Sequence, residues 1–177
     1  MKTKLILIIS CFIIGGVNAQ NSKFFSIDST YSTTMILAPK GIQIDKKTPL
    51  KGHYSYDMNE RFMQEITQIY YECFGEVDEE IKTALFRGGE LVLFFDKNYH
   101  IYYFQFYFLN RYSTIILGIE DKLNEYAKRF KKMDLASFIK IDEDRGEFHN
   151  SKFSIFFAAI FNYEKFPEKF RAEKLSY

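Results

Sequence analysis

Residues 89–109, Gly89-Glu90-Leu91-Val92-Leu93-Phe94-Phe95-Asp96-Lys97-Asn98-Tyr99-His100-Ile101-Tyr102-Tyr103-Phe104-Gln105-Phe106-Tyr107-Phe108-Leu109, carry the plan of the molecule. Leu91 to Phe95 and Tyr99 to Leu109 are dense in aromatic and branched side chains, which suit a pleated surface, and Asp96-Lys97-Asn98 between them reads as a tight connection. Asparagine tolerates positive φ, so Asn98 is expected to close the turn. The segment is therefore read as a β-hairpin. In its second arm, strand alternation puts Tyr99, Ile101, Tyr103, Gln105 and Tyr107 on one face and His100, Tyr102, Phe104, Phe106 and Phe108 on the other. Both faces are aromatic, so both are expected to be covered.

On either side of this hairpin the period changes from two to about 3.6. From Asn59, Phe62, Ile66, Ile69, Tyr70, Cys73 and Phe74 recur at spacings of three and four, with Glu60, Arg61, Gln64, Glu65, Gln68 and Glu72 on the opposite side. This predicts an amphipathic helix capped near Asp57 or Asn59 and stopped by Gly75. A second helical piece is expected over Asp78 to Leu85, with Ile81, Ala84 and Leu85 inward, broken by Arg87-Gly88-Gly89. A third runs from Ile119 to Met133. There Ile119, Leu123, Tyr126, Phe130 and Met133 form the stripe, Glu120 and Asp121 open the helix, and Lys128, Arg129, Lys131 and Lys132 close it as the helix dipole favours. After a polar stretch, Asp142 to Asn150, a last strand is expected over Lys152 to Phe161, with Phe153, Ile155, Phe157, Ala159 and Phe161 facing one side. The fold expected is α+β: a small antiparallel sheet with a central hairpin and two or three helices packed on one face. Residues 58–162 form this core. Residues 20–57 form an irregular β-containing lead-in built from Phe24 to Ile27, Met35 to Leu37 and Ile42 to Ile44, and 163–177 a charged tail.

The chain has 177 residues, with 24 Lys or Arg against 23 Asp or Glu and a formal charge of +1. No single-sign field is available to hold a polyanion, which argues against a nucleic-acid binder. With 47% hydrophobic residues, 20 Phe and 13 Tyr but no Trp, the composition is that of an aromatic-rich globular protein and not of a disordered one. Lys2 and Lys4, the apolar run Leu5 to Val17, and Val17-Asn18-Ala19 are the parts of a secretory signal peptide over residues 1–19, with cleavage expected after Ala19. The apolar run is shorter than the roughly 18 residues of a membrane span. Cys11 follows Ile8-Ile9-Ser10, which loosely matches a lipoprotein box, but cutting there would halve the hydrophobic core, so lipidation is disfavoured. The expected location is periplasmic or extracellular. Loss of Lys2 and Lys4 turns +1 into −1, and Cys73, the one cysteine left, excludes an intramolecular disulfide.

The order helix, hairpin, helix, strand, with Gly89 before the first hairpin arm and Asp96-Lys97-Asn98 at its turn, resembles the C-terminal domain of the energy-transducer TonB family. That family's strand motif is of the type Gly-x-x-x-Val-x-Phe-x-Ile-Asp-x-Asp/Asn-Gly; Gly89 to Asn98 takes its place, and Tyr99 stands where the family has the turn glycine. The resemblance covers residues 60 to 161 and implies a fold and, by analogy, an interaction role. The chain lacks the Trp-x-Pro-type segment, the spanning helix and the Pro-rich arm, so the energy-transducing role does not carry over.

Side chains able to do chemistry do not assemble into a pattern. His53, His100 and His149 stand in separate segments with no second His or Cys at ligand spacing, so no metal or cofactor is expected. There is no Gly-x-Ser-x-Gly, and Cys73 falls on a core-facing stripe where a thiol is inert. Glu76, Asp78, Glu79 and Glu80, like Asp142-Glu143-Asp144-Arg145-Gly146, are expected to be solvated charge. No catalytic residue is assigned. The function expected is non-enzymatic: an exported binding or interaction protein of the bacterial envelope that captures a protein or an extended peptide. The capture would run along a sheet edge or on the tyrosine-bearing face, with Tyr99, Tyr103, Tyr107 and Tyr112 as partner-binding residues. The alternatives are a small secreted hydrolase or glycan-active enzyme using His100, Asp96 and a distant acid, or an inhibitor that plugs a cleft with the loop Asp142 to Asn150.

Overall fold

The computed structural model describes residues 22–29, 31–42, 54–56, 60–141 and 150–163. In chain order these form β1 (Phe25–Asp28), β2 (Thr34–Pro39), β3 (Tyr54–Tyr56), α1 (Glu60–Phe74), α2 (Glu79–Phe86), β4 (Glu90–Asp96) and β5 (Ile101–Leu109). There follow α3 (Ser113–Gly118), α4 (Glu120–Phe130), β6 (Ile139–Ile141), β7 (Asn150–Phe156) and α5 (Phe157–Phe161). Five strands build one antiparallel sheet in the order β1-β2-β5-β4-β7, and β3 pairs with β6 in a separate two-stranded sheet. The architecture is α+β with the β4–β5 hairpin at its centre. The expected signal peptide, the loop Asp142 to Asn150 up to His149, the tail beyond Tyr163, and His53 and His149 lie outside the described residues.

β5 is the middle strand, hydrogen-bonded to β2 on one side and β4 on the other. Its helix-side residues Phe104, Phe106 and Phe108 join Leu91, Leu93 and Phe95 of β4, Phe153 and Ile155 of β7, and Met35 and Leu37 of β2 in the main core. Onto that layer α1 lays Phe62, Ile66, Tyr70 and Phe74, α4 lays Leu123, Tyr126 and Phe130, and α5 lays Phe157, Ile160 and Phe161. The ends of the helices follow simple capping chemistry. Asp78 accepts the Ile81 N–H at 2.9 Å as N-cap of α2, Gly75 ends α1 at φ +60°, and the Lys122 ammonium donates to the Phe74 carbonyl at 2.8 Å. The Ser22 hydroxyl and the Lys23 N–H both donate to the Glu120 carboxylate.

Three local expectations are corrected. Positive φ falls on Tyr99 (64°) and not on Asn98. The Asp96 carboxylate accepts the Asn98 and His100 N–H groups at 2.8 and 3.0 Å while Tyr99 N–H donates to the Asp96 carbonyl at 3.0 Å, so the left-handed residue is the one that follows the turn. The alternation along β5 is also interrupted: Phe94 faces Tyr103 but Phe95 faces Ile101, leaving Tyr102 as an extra residue. Ile101 therefore joins the main core and Tyr102 packs with Tyr103, the reverse of the regular pattern. Finally, the last strand stops at Phe156, and 157–161 is helical, because an apolar run such as Phe153 to Phe161 satisfies either period and the buried trio Phe157, Ile160 and Phe161 fits the helical one.

Gly89 is required where α2 turns into β4. A Cβ built there would lie 2.5 Å from the Leu85 carbonyl oxygen and 2.8 Å from the Phe157 ring, whereas one at Gly118 meets nothing within 4 Å. Gly89→Ala is expected to lower stability in urea titration by about 1–3 kcal/mol or more, and Gly118→Ala to leave it unchanged or slightly raised. The Tyr126 hydroxyl is fully buried and has no hydrogen-bond partner among the described residues. Tyr126→Phe is accordingly expected to stabilise the fold by about 1 kcal/mol, the cost of an unmade bond; a loss of stability would mean that the hydroxyl is satisfied.

Candidate functional site

Pairing register fixes what the other face of the sheet presents. Three cross-strand rows face away from the helices. The first contains Asp28, Ile36, Tyr107, Glu90 and Phe156; the second Gln105, Val92 and Ser154; the third Tyr103, Phe94 and Lys152. Val92, Phe94 and Tyr103 are buried as a satellite cluster, against which Ala38, Tyr102 and Tyr107 pack. Phe94 and Tyr103 meet edge to face at 5.4 Å between ring centroids, the arrangement their quadrupoles favour. No helical residue joins this cluster among the described residues.

Val92, Phe94 and Tyr103 are each only 5% exposed, so the middle of this face is not open to solvent. The Tyr107 hydroxyl donates to the Gln105 side-chain carbonyl at 2.9 Å. Partial burial raises the Tyr107 phenol above its ordinary pKa, and Glu90, Tyr103 and Tyr31 nearby raise it further. Burial likewise raises Tyr103, against a lowering by its hydrogen bond with Gln105, and raises Tyr102, with the Asp96 charge adding to it. Two rings are open to solvent: Phe156, 53% exposed at the β7 end of the first row, and Tyr31, 62% exposed in the β1–β2 connection. The connection is held to the end of β5 by the Asn110 side chain, which donates to the Tyr31 carbonyl at 2.9 Å and to the Ser32 carbonyl at 3.1 Å.

Of the four tyrosines expected to bind a partner, Tyr103 and Tyr107 stand together on this face. Tyr99 sits at the hairpin turn and Tyr112 in the 3₁₀ turn after β5, at opposite ends of the strand, and both pack against the main core instead. Tyr102, Phe94, Phe156 and Tyr31 are the residues that sequence reasoning missed. The first was hidden by the bulge, and Phe94 and Phe156 were findable only once the register of β4 and β7 was known.

His100 Nδ1 approaches Asp96 Oδ2 at 3.5 Å, so the pair named for the hydrolase alternative does come together, but the imidazole is 77% exposed at the hairpin tip. A site for general base chemistry needs enclosure and a second convergent group. Between α1 and α4 lies an open groove of about 290 Å³ lined by Glu65, Gln68, Glu72, Glu125, Arg129 and Lys132. Its Arg129 guanidinium is taken by Glu72 and by Glu125, the latter at 3.4 Å. Among the described residues no group of His, Cys, Asp and Glu is arranged to hold a metal ion, and no helix is long and apolar enough to cross a membrane. Comparison with protein-family models, with curated proteins and with solved structures finds no match to the chain.

Half-buried Cys73 has its thiol pushed from the ordinary 9.0 to about 11, mainly by desolvation, with Arg129 pulling the other way. Burial takes Tyr71 to about 12 and raises Tyr70 and Tyr126 as well. All four hold their protons more tightly in the folded state than in the unfolded one. Their contribution is complete below about pH 9 and is lost as pH climbs through the folded-state values. The urea midpoint is expected to be insensitive to these groups up to about pH 9 and to fall between about pH 9 and 12, with iodoacetamide modifying native Cys73 far more slowly at pH 8 than the unfolded chain. A midpoint that rises across that interval, or fast native labelling, would contradict this burial.

Proposed function

We propose that the chain is an exported, non-enzymatic binding protein of the bacterial envelope whose docking surface lies on the face of its five-stranded sheet away from the described helices. The observation that carries this reading is the exposure of two rings on or beside this face: Phe156 on β7, in the cross-strand row of Glu90 and Tyr107, and Tyr31 in the β1–β2 connection near Tyr107. A surface with a contiguous apolar patch of several hundred Å² usually has a partner. Export rests on the leader-like sequence of residues 1–19, and the TonB-like order of elements points the same way by analogy. Because β5 is the middle strand, a partner meets its side chains and not its backbone. Augmentation of an edge would have to use β1 or β7, neither of which carries the tyrosines of β5.

Site-specific incorporation of a photoreactive phenylalanine in the native host tests the proposal. Irradiation is expected to give a discrete adduct when the probe replaces Phe156 or Tyr31, and none when it replaces Glu65 or Lys128 on the helices. Equal labelling at all four positions, or at none, would count against a docking role for this face.

A further inference from the structure

We infer that removal of the leader precedes the docking of β1, so that the anchoring of Ser22 and Lys23 on α4 sets the order in which the chain is processed and folded. This rests on the export proposed above and adds an order of events to it. The bond to be hydrolysed is Ala19–Gln20: water adds across it, leaving a carboxylate on Ala19 of the leader and an ammonium on Gln20 of the mature chain. Ser22 is the third residue on the mature side of that bond. Three residues of fully extended chain span at most about 10–11 Å.

Ser22 is held from several directions and is 5% exposed. Its hydroxyl donates to the Glu120 carboxylate and accepts the Phe25 N–H at 2.9 Å, and its carbonyl accepts from the Lys40 ammonium. The Lys23 N–H donates to both Glu120 oxygens, at 3.0 and 3.1 Å. Phe25, 1% exposed, meets Phe104 and Phe106 edge to face with ring centroids 6.4 and 6.0 Å apart, which ties the start of β1 into the main core. A peptidase takes its substrate as an extended strand, with residues on both sides of the scissile bond lying in its cleft. Once Ser22 is anchored, the folded domain stands within the reach of three residues from that bond and competes with the cleft for the same short stretch of chain. Among the described strands β1 pairs with β2 alone, so it can separate without breaking any pairing of β2, β5, β4 and β7. Local opening at such an edge takes less free energy than global unfolding. Cleavage therefore waits on β1 and not on the rest of the sheet.

The test uses the full-length precursor, purified in mild detergent and treated with the purified membrane peptidase that removes leaders of this type, the product being followed by mass. Folded precursor is expected to be cut at least about tenfold more slowly than the same precursor mixed directly from urea, because cutting then samples only the opened state. A flexible insert of about ten Gly and Ser residues between Asn21 and Ser22 adds a mean reach of about 16–19 Å. It is expected to restore the fast rate while circular dichroism shows the domain still folded, and to change nothing when both precursors are mixed from urea. Ser22→Ala combined with Glu120→Ala, which removes the anchor, is expected to speed cutting of the folded precursor severalfold. Equal rates for folded precursor and precursor mixed from urea, an insert that leaves the folded precursor slow, or a rate indifferent to the double replacement would overturn the inferred order while leaving export in place. Failure to cut even the precursor mixed from urea would overturn the leader itself, and the inference with it.

Discussion

The pairing of β4 with β5 sets what every other part of the molecule can touch. Six register pairs tie Glu90–Phe95 to Ile101–Tyr107, and a single bulge at Tyr102 changes the phase. Because side chains alternate strictly along a strand, this pairing divides β5 into Phe104, Phe106 and Phe108 on one side and Tyr103, Gln105 and Tyr107 on the other. The same division passes through β4 to β7 on one flank and directly to β2, and from there to β1, on the other. Slipping the register by one residue would expose three phenylalanines and bury the phenols without partners.

The partition also sorts chemistry. On β5 every ring beneath the helices is a phenylalanine, and every ring on the other side is a tyrosine. A phenol can lie flat over apolar neighbours while its hydroxyl finds Gln105 or water, which suits a half-wet surface; a benzyl ring has no polar end to satisfy and suits a dry one. Tyr70 and Tyr126 break this division, being buried on the helix side with hydroxyls that have no partner among the described residues. Their rings hold the junction of α1, α4 and α5 together. Tyr70 stacks on Phe74 at 4.8 Å and meets Phe161 edge to face at 5.1 Å, and Tyr126 meets Phe130 edge to face at 4.8 Å.

The helices α1, α2 and α4 and the central hairpin were legible because their periods are long and unmixed. Phe62 to Phe74 can be read only as a helical stripe, and Leu91 to Leu109 only as two strands and a turn. What could not be read follows from the same physics. Phe153 to Phe161 is apolar at nearly every position, so period decides nothing there, and the break into α5 comes from tertiary packing against α1 and α2. The bulge at Tyr102 leaves no trace in composition. Propensity favours Asn98 as the left-handed residue, yet the Asp96 carboxylate holds the Asn98 N–H within the turn and the positive φ falls on Tyr99. Of the candidate site, Tyr103 and Tyr107 were visible as one face of a strand. Phe94, Phe156 and Tyr31 belong to that face only through pairings between residues far apart in the chain.

The bulge links the fold to the site. Without an extra residue, Tyr102 would follow the helix-side series of Phe104 and place a hydroxyl in the dry core. With it, Ile101 takes that place at 8% exposure, and Tyr102 turns out to join Tyr103 beside Phe94. The inserted residue thus removes a polar group from the helix-side interior and adds a third phenol to the other face. Strand β5 could not supply that arrangement by alternation alone, since two consecutive tyrosines must otherwise point to opposite sides. A sheet that needed only a packed interior would gain nothing from the irregularity beyond avoiding one buried hydroxyl, and a phenylalanine at position 102 would achieve that with the regular register. The register as it stands keeps the tyrosine and takes its hydroxyl out of the helix-side core.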